Sequence, residues 1–157
     1  MNGKLLLSAL VLTLSTGLHA AGGDAHHHHG EAAPQQLQLN AGKQWATDAT
    51  LRQTMNEINQ AMGKALPLIH GNRFSDGDYQ ALAATVSQKV AHAVEHCKLD
   101  AKADAMLHLL ITDLLVGAEV MEGKAGKPRH DGAVQVMQAL KSYGKYFRHP
   151  GWKLAQG

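Results

Sequence analysis

Apolar residues recur with a helical spacing in almost every window of the chain from Thr47 onward, and no stretch alternates as a strand would. The spacing resolves into four segments of similar length, joined by short loops. Because short loops favour antiparallel neighbours, the sequence predicts an all-α fold, an antiparallel up-down-up-down four-helix bundle over residues 47–157.

The ends of the predicted helices carry residues that favour helix termini. Serine, threonine and aspartate precede the apolar runs as candidate N-caps, and glycine or proline follows them. Pro67 is expected to end or kink the first helix before Gly71. The predicted helices run from Thr47 or Asp48 to Pro67, from Ser75 to about Lys98, from Asp100 to Gly123, and from His130 to about Pro150.

Each predicted helix has one apolar face, and these four faces are expected to form the core. The candidate core residues are Leu51, Met55, Ile58, Met62, Leu66, Tyr79, Leu82, Val86, Val90, Ala93, Cys97, Leu107, Leu110, Ile111, Leu114, Ala118, Met121, Ala133, Val136, Met137, Leu140, Tyr143, Gly144 and Phe147.

The first twenty residues have the pattern of a secretion signal. Lys4 supplies the positive start, residues 5–18 are apolar and nearly uncharged, and Leu18-His19-Ala20 is a weak A-x-A cleavage pattern. The sequence predicts a signal peptide over residues 1–20, cleaved after Ala20, and a periplasmic location without membrane insertion. Residues 21–46 are rich in Gly, Ala, His and Gln without a sustained period, which predicts a flexible His-rich tail.

The charge balance argues against a nucleic-acid partner. The chain has 15 lysines and arginines against 13 aspartates and glutamates, and aromatic residues make up 4% of it. There is no basic stripe to neutralise phosphates and little aromatic surface for stacking. The sequence gives no indication of a protein partner.

Four consecutive histidines follow the predicted signal. No packing role explains four imidazoles in a flexible segment, whereas imidazole is a common ligand for zinc, copper and nickel. We therefore expect His26, His27, His28 and His29 to capture metal ions, with low selectivity because the segment fixes no geometry.

A second set of candidate ligands lies in the helical domain. The predicted up-down topology brings the end of the second helix, the starts of the first and third helices and the end of the fourth helix together. Soft sulfur donors favour Cu(I), so copper is the expected ion, with zinc and nickel as alternatives. The candidate metal ligands of the domain are His92, His96, Cys97, Met55, His108 and His149.

Each of these residues also has an ordinary structural interpretation. The His92 and His96 pair can be plain surface residues, and Met55 can be a core filler. His108 can be a hydrogen-bonded boundary residue, and His149 can favour the last helix carbonyls. A single cysteine forms no internal disulfide, so Cys97 is buried and inert, paired with another molecule, or held by a metal.

Enzyme signatures are missing from the sequence. It contains no H-E-x-x-H, no G-x-S-x-G, no glycine-rich phosphate loop and no C-x-x-C-H haem attachment motif. We therefore expect a protein without enzymatic activity.

Three short segments resemble the small periplasmic b-type cytochromes, which are four-helix bundles. They are residues 51–59, residues 114–117 and residues 140–143. The resemblance implies haem held between a methionine and a histidine, and Met55 falls on the methionine position. Arg148 stands on the histidine position with His149 next to it, so the haem histidine is not kept.

A second resemblance is to a family of short exported bacterial proteins without an established biochemical role. It rests on residues 45–48, 97–99 and 149–152 and implies no function. Three hypotheses follow from the sequence: an exported protein that captures or buffers copper or another late transition metal; a structural or partner-binding helical bundle of the envelope; and a cytochrome-like haem carrier.

Overall fold

Four helices account for most of residues 36–157, the part of the chain that the computed structural model describes. Within this part no strand forms, and extended residues meet only in two isolated β-bridges. An all-α fold of four helices packed against each other is therefore confirmed. The helices are α1 Ala49–His70, α2 Asp76–His96, α3 Ala101–Glu122 and α4 Arg129–Tyr146. The predicted signal peptide and His26–His29 lie outside the described residues.

The predicted N-caps of the first three helices are confirmed. Asp48 caps α1, Ser75 forms a capping box with Asp78 at the start of α2, and Asp100 caps α3 through two backbone amides. Each side chain satisfies amides that lack a partner within the helix. Gly123 ends α3 with a positive φ of 85°, a conformation that costs glycine little.

The sequence predicts that Pro67 ends or kinks the first helix. In the structure Pro67 lies inside α1 and does not end it. The helix continues for one more turn to His70. The amides of Gly71 and Asn72 then bond to the carbonyls of Pro67 and Ile69. A proline this close to the helix end removes only one helical hydrogen bond, and the last turn of α1 keeps its other hydrogen bonds.

The predicted apolar faces form the core, with few exceptions. Nearly all of the candidate core residues are buried, including Met55 and Met62 at 0% exposure. Cys97 and Met137 are only partly buried and pack against the edge of the core. The helical periodicity therefore identifies most of each inward face; Cys97 follows the end of α2, and Met137 lies within α4 at the edge of its buried face.

Two glycines allow α3 and α4 to approach closely. A Cβ atom on Gly132 would lie 2.6 Å from the Met121 backbone nitrogen, and one on Gly117 would lie 2.8 Å from Val136 Cγ2. No larger residue fits at either position without a shift of the helices. This pair of helices shares the most extensive contact in the bundle, whereas α1 and α4 share little.

Residues 152–155, which we call the closing segment, lie between α1 and α4. Asn59 on α1 is 9% exposed; its Nδ2 donates to the Lys153 carbonyl at 2.9 Å, and its Oδ1 accepts from the Ala155 amide at 2.8 Å. On α4, a Cβ atom at Gly144 would lie 2.5 Å from Trp152 Nε1. Extended chain, rather than helix-to-helix packing, thus completes this side of the bundle.

The packed region begins before the predicted boundary at residue 47. Trp45 is 6% exposed, its amide donates to the Tyr146 carbonyl at 2.8 Å, and its own carbonyl accepts from the Arg148 amide at 2.8 Å. Its indole Nε1 donates to the Gln38 carbonyl at 2.7 Å. The sequence assigns these residues to the flexible tail because a single aromatic anchor produces no periodic signal.

Among the helices of residues 36–157, none combines the length and the apolar character needed to cross a membrane.

Candidate functional site

His92 and His96 lie one turn apart on the exposed side of α2. Their rings stack with centroids 4.4 Å apart and an interplanar angle of 23°. His96 Nδ1 lies 3.0 Å from the His92 carbonyl oxygen. When Nδ1 carries the proton it donates to that carbonyl, and Nε2 keeps a lone pair for a metal ion. Helical geometry thus places two imidazoles side by side with access to solvent.

Cys97 does not extend this pair. The chain leaves the helix at His96, and Cys97 has extended φ and ψ angles of −68° and 141°. The pKa of the Cys97 thiol is raised to about 12. Burial is the largest cause, followed by the negative charge of Asp48, a hydrogen bond to Asp48, and the charge of Asp104. Without a metal ion the thiol is therefore protonated at neutral pH, and an ion would have to displace this proton to bind the sulfur.

Met55 is a core residue in the structure. Its side chain is 0% exposed and belongs to the main cluster of buried apolar residues. A thioether sulfur in this position fills space between helices and does not reach an ion at the surface.

His108 lies on α3, apart from the His92 and His96 pair. Its Nδ1 is 2.9 Å from the Asp104 carbonyl oxygen and 3.4 Å from the Asp104 carboxylate. The side chain is 58% exposed. These contacts match the hydrogen-bonded boundary residue that the sequence offers as the alternative.

His149 is held by aromatic residues beyond the end of α4. Its Nδ1 lies 2.9 Å from the hydroxyl of Tyr143, and its ring is tilted against Trp152 with centroids 5.1 Å apart. Burial and the neighbouring charge of Arg52 lower the pKa of His149. Burial also raises the pKa of Tyr143, so its hydroxyl stays protonated and available to the imidazole.

The described residues do not assemble these side chains into one metal site. Between residues 36 and 157 no group of three or more His, Cys, Asp or Glu side chains is placed to hold an ion. The structure brings together His92 with His96, and Tyr143 with His149, as separate pairs. Among the described residues, the candidate ligands therefore do not form one cluster.

The same geometry does not fit a haem between α1 and α4. Met55 is enclosed by the core, and Arg148 stands on the expected histidine position. A haem at this place would have to separate the packed helices to reach the sulfur.

A polar groove lies on the outer face of α1, and we call it the α1 groove. It is not among the features predicted from the sequence. It is open to solvent and has a volume of about 810 Å³. The available signal was a polar stripe at helical spacing on α1, opposite its apolar face. The residues that line it are Thr47, Arg52, Gln53, Asn56, Glu57, Gln60, Arg148, His149 and Pro150.

Comparison with protein-family models, with curated proteins and with solved structures yields no match for this chain.

Proposed function

We propose that the protein is an exported, periplasmic metal-binding protein that captures or buffers copper or another late transition metal. The observation that supports this most directly is the exposed pair of stacked imidazoles, His92 and His96, one turn apart on α2. Two imidazoles at this spacing can chelate one ion, and water or further imidazoles complete its coordination.

In this proposal the ligands are imidazoles rather than sulfur atoms. The Cys97 thiol is protonated at neutral pH and Met55 is enclosed by the core. Cu(II), Ni(II) and Zn(II) suit imidazole, whereas Cu(I) prefers soft sulfur donors. His26–His29 supply additional imidazoles on the same chain, and the protein acts as a carrier or buffer without catalysing a reaction.

We also infer that the helices alternate in direction, as an up-down-up-down bundle. Asp48 at the start of α1 bonds to Lys98 just beyond the end of α2, and Trp45 before α1 pairs with Phe147 at the end of α4. Arg129 at the start of α4 lies 3.3 Å from Asp76 at the start of α2. These contacts support antiparallel neighbours and parallel diagonal helices.

The proposal is tested by Cu(II) and Ni(II) titration of the mature protein, followed by calorimetry. We expect the double variant His92→Gln/His96→Gln to lose one binding site, and deletion of residues 24–31 to lower the number of bound ions further. The matched control is His108→Gln/His130→Gln, which removes two exposed histidines that are not one turn apart.

Unchanged stoichiometry and affinity in both the double variant and the deletion would overturn the proposal. A melting temperature that added copper, nickel and zinc all leave unchanged would do so as well, since an ion that binds the native state must stabilise it. Either result would favour the partner-binding bundle instead.

A further inference from the structure

The positive end of the α1 groove is organised by a small hydrogen-bond network. Arg52 Nη1 donates to the Thr47 carbonyl at 2.6 Å and to Thr47 Oγ1 at 3.1 Å. Thr47 Oγ1 in turn donates to the Arg148 carbonyl at 2.6 Å. The network ties the start of α1 to the residues after α4 and places two arginines on the same groove. The guanidinium group of Arg52 carries further donors on Nε and Nη2.

His149 adds a third nitrogen donor at this end. Tyr143 fixes its ring through Nδ1, and the ring lines the groove beside the two arginines. The ring nitrogen not bonded to Tyr143 is Nε2, which can donate to an anion when it carries the proton.

Glu57 is the one acidic residue among those that line the groove, and a positive charge compensates its negative charge. Glu57 Oε2 lies 2.6 Å from Lys89 Nζ, and Glu57 Oε1 accepts from Gln53 Nε2 at 3.0 Å. The Lys89 ion pair and the Gln53 hydrogen bond lower the pKa of Glu57, so it remains ionised and paired. The net charge of the groove is therefore set by Arg52 and Arg148.

The remainder of the groove is lined by neutral amides. Gln53, Asn56 and Gln60 lie along α1 on the same side as Arg52. At 1.5 Å per residue, the stretch from Arg52 to Gln60 spans about 12 Å. Carboxamides both donate and accept hydrogen bonds, so they suit hydroxyl or amide groups rather than apolar ones.

We propose that this groove binds a small organic anion. Its carboxylate or phosphate group lies against Arg52, Arg148 and His149, and its neutral, hydrogen-bonding body extends along Gln53, Asn56 and Gln60. Planar guanidinium groups bind both kinds of anion through paired N–H donors. The site shares no lining residue with the His92 and His96 pair and does not require a metal ion.

The probes are inorganic phosphate, citrate, glucose 6-phosphate and glucose, titrated into the full mature chain after metal removal on a chelating resin. Amide chemical shifts of ¹⁵N-labelled protein at low ionic strength report where each probe binds. We expect saturable shifts confined to residues 47–60, Arg148 and His149. Glucose 6-phosphate should bind more tightly than phosphate, and glucose should not bind. The relative affinities of citrate and phosphate identify the preferred anion.

Two charge-matched variants test the assignment. Arg148→Gln removes one charge from the groove and should weaken binding about tenfold or more, the loss expected for a charge-assisted hydrogen bond. Arg73→Gln removes one charge from the loop after α1, outside the groove, and should leave the affinity unchanged. An absence of saturable shifts with phosphate, citrate and glucose 6-phosphate would overturn the proposal. Equal losses in the two variants would also overturn it, because they would indicate screening by net charge alone.

The His92→Gln/His96→Gln variant separates this inference from the proposed metal function. It should keep its affinity for the anionic probes while losing a metal site. Loss of anion binding in this variant would contradict the separation of the two sites.

Discussion

The carboxylate of Asp48 accepts a 2.6 Å hydrogen bond from the backbone amide of Lys98, 50 residues further along the chain. Its other oxygen accepts from the Leu51 amide at 2.7 Å in the first turn of α1. One side chain thus caps a helix and also satisfies an amide just beyond the end of the neighbouring helix.

Asp48→Ala should therefore destabilise the protein more than the loss of a simple cap. We expect the free energy of unfolding to fall by about 2–3 kcal/mol, since two hydrogen bonds from backbone amides to a charged group are lost. The control Asp100→Ala removes a cap that serves only its own helix and should cost about 1 kcal/mol. Urea denaturation measures both values, and equal losses would show that the bond to Lys98 contributes nothing.

Gly132→Ala should disturb the closest helix pair. The added methyl would lie 2.6 Å from the Met121 backbone nitrogen, so α3 and α4 must separate. Overpacking of this kind costs about 1–3 kcal/mol. Gly77→Ala on α2 is the control, since its Cβ has only Ser75 Oγ nearby, at 3.8 Å, and alanine favours helix. A thermal melt should show a lower midpoint for the first variant and an equal or higher one for the second.

Asn59→Ala should loosen the closing segment. The substitution leaves the Lys153 carbonyl and the Ala155 amide without their partner, and we expect a loss of about 2–3 kcal/mol in the free energy of unfolding. Asn56→Ala, one turn earlier and exposed, should stay within about 0.5 kcal/mol of the parent protein. Similar stabilities for the two variants in urea would contradict the role assigned to Asn59.

Cys97 should react slowly with iodoacetamide in the folded protein. Because its pKa is about 12, little thiolate is present at pH 8, and we expect alkylation at least ~10-fold slower than in urea-unfolded protein. An ordinary thiol, with a pKa of about 8.5, reaches its plateau at about pH 10, whereas the Cys97 rate should keep rising beyond that pH. Mass spectrometry follows the reaction, and a plateau at about pH 10 would show that Asp48 and burial do not hold the proton.

His149 should make the protein less stable at mildly acidic pH. Its pKa lies below 6.5 in the folded state, so the unfolded chain binds the proton first as the pH falls. The stabilisation is complete above about pH 6.5 and is lost as the pH falls towards the folded-state pKa. NMR titration of the ring next to Arg52, Tyr143 and Trp152 should give a midpoint below 6.5, and a higher midpoint would reverse the expected sign.

The helices and most of the core could be predicted because their signals are local. The cap at Asp100, the stop at Gly123 and the apolar spacing of each helix all lie within a few residues of the structure they determine. The His92 and His96 pair is local in the same sense, since four residues on a helix make one turn.

The remaining features depend on residues far apart in the chain. The pKa of Cys97 is set largely by burial and by Asp48, and Trp45 is anchored by residues 146–148. The α1 groove combines residues 47–60 with residues 148–150. Windows of helical length do not contain such relationships, so the sequence does not predict the mutual arrangement of these residues.

The closing segment also determines where the folded protein should open first. Its hydrogen bonds to Asn59 join residues 94 and 96 positions apart, and α1 and α4 share little contact without it. Contacts over such separations carry a larger loop-closure entropy than those within a helical hairpin. Local opening along the seam between α1 and α4 should therefore require less free energy than global unfolding. In native-state hydrogen exchange, we expect the amide of Ala155 to exchange by a sub-global route while the amides of α3 exchange only when the whole bundle unfolds.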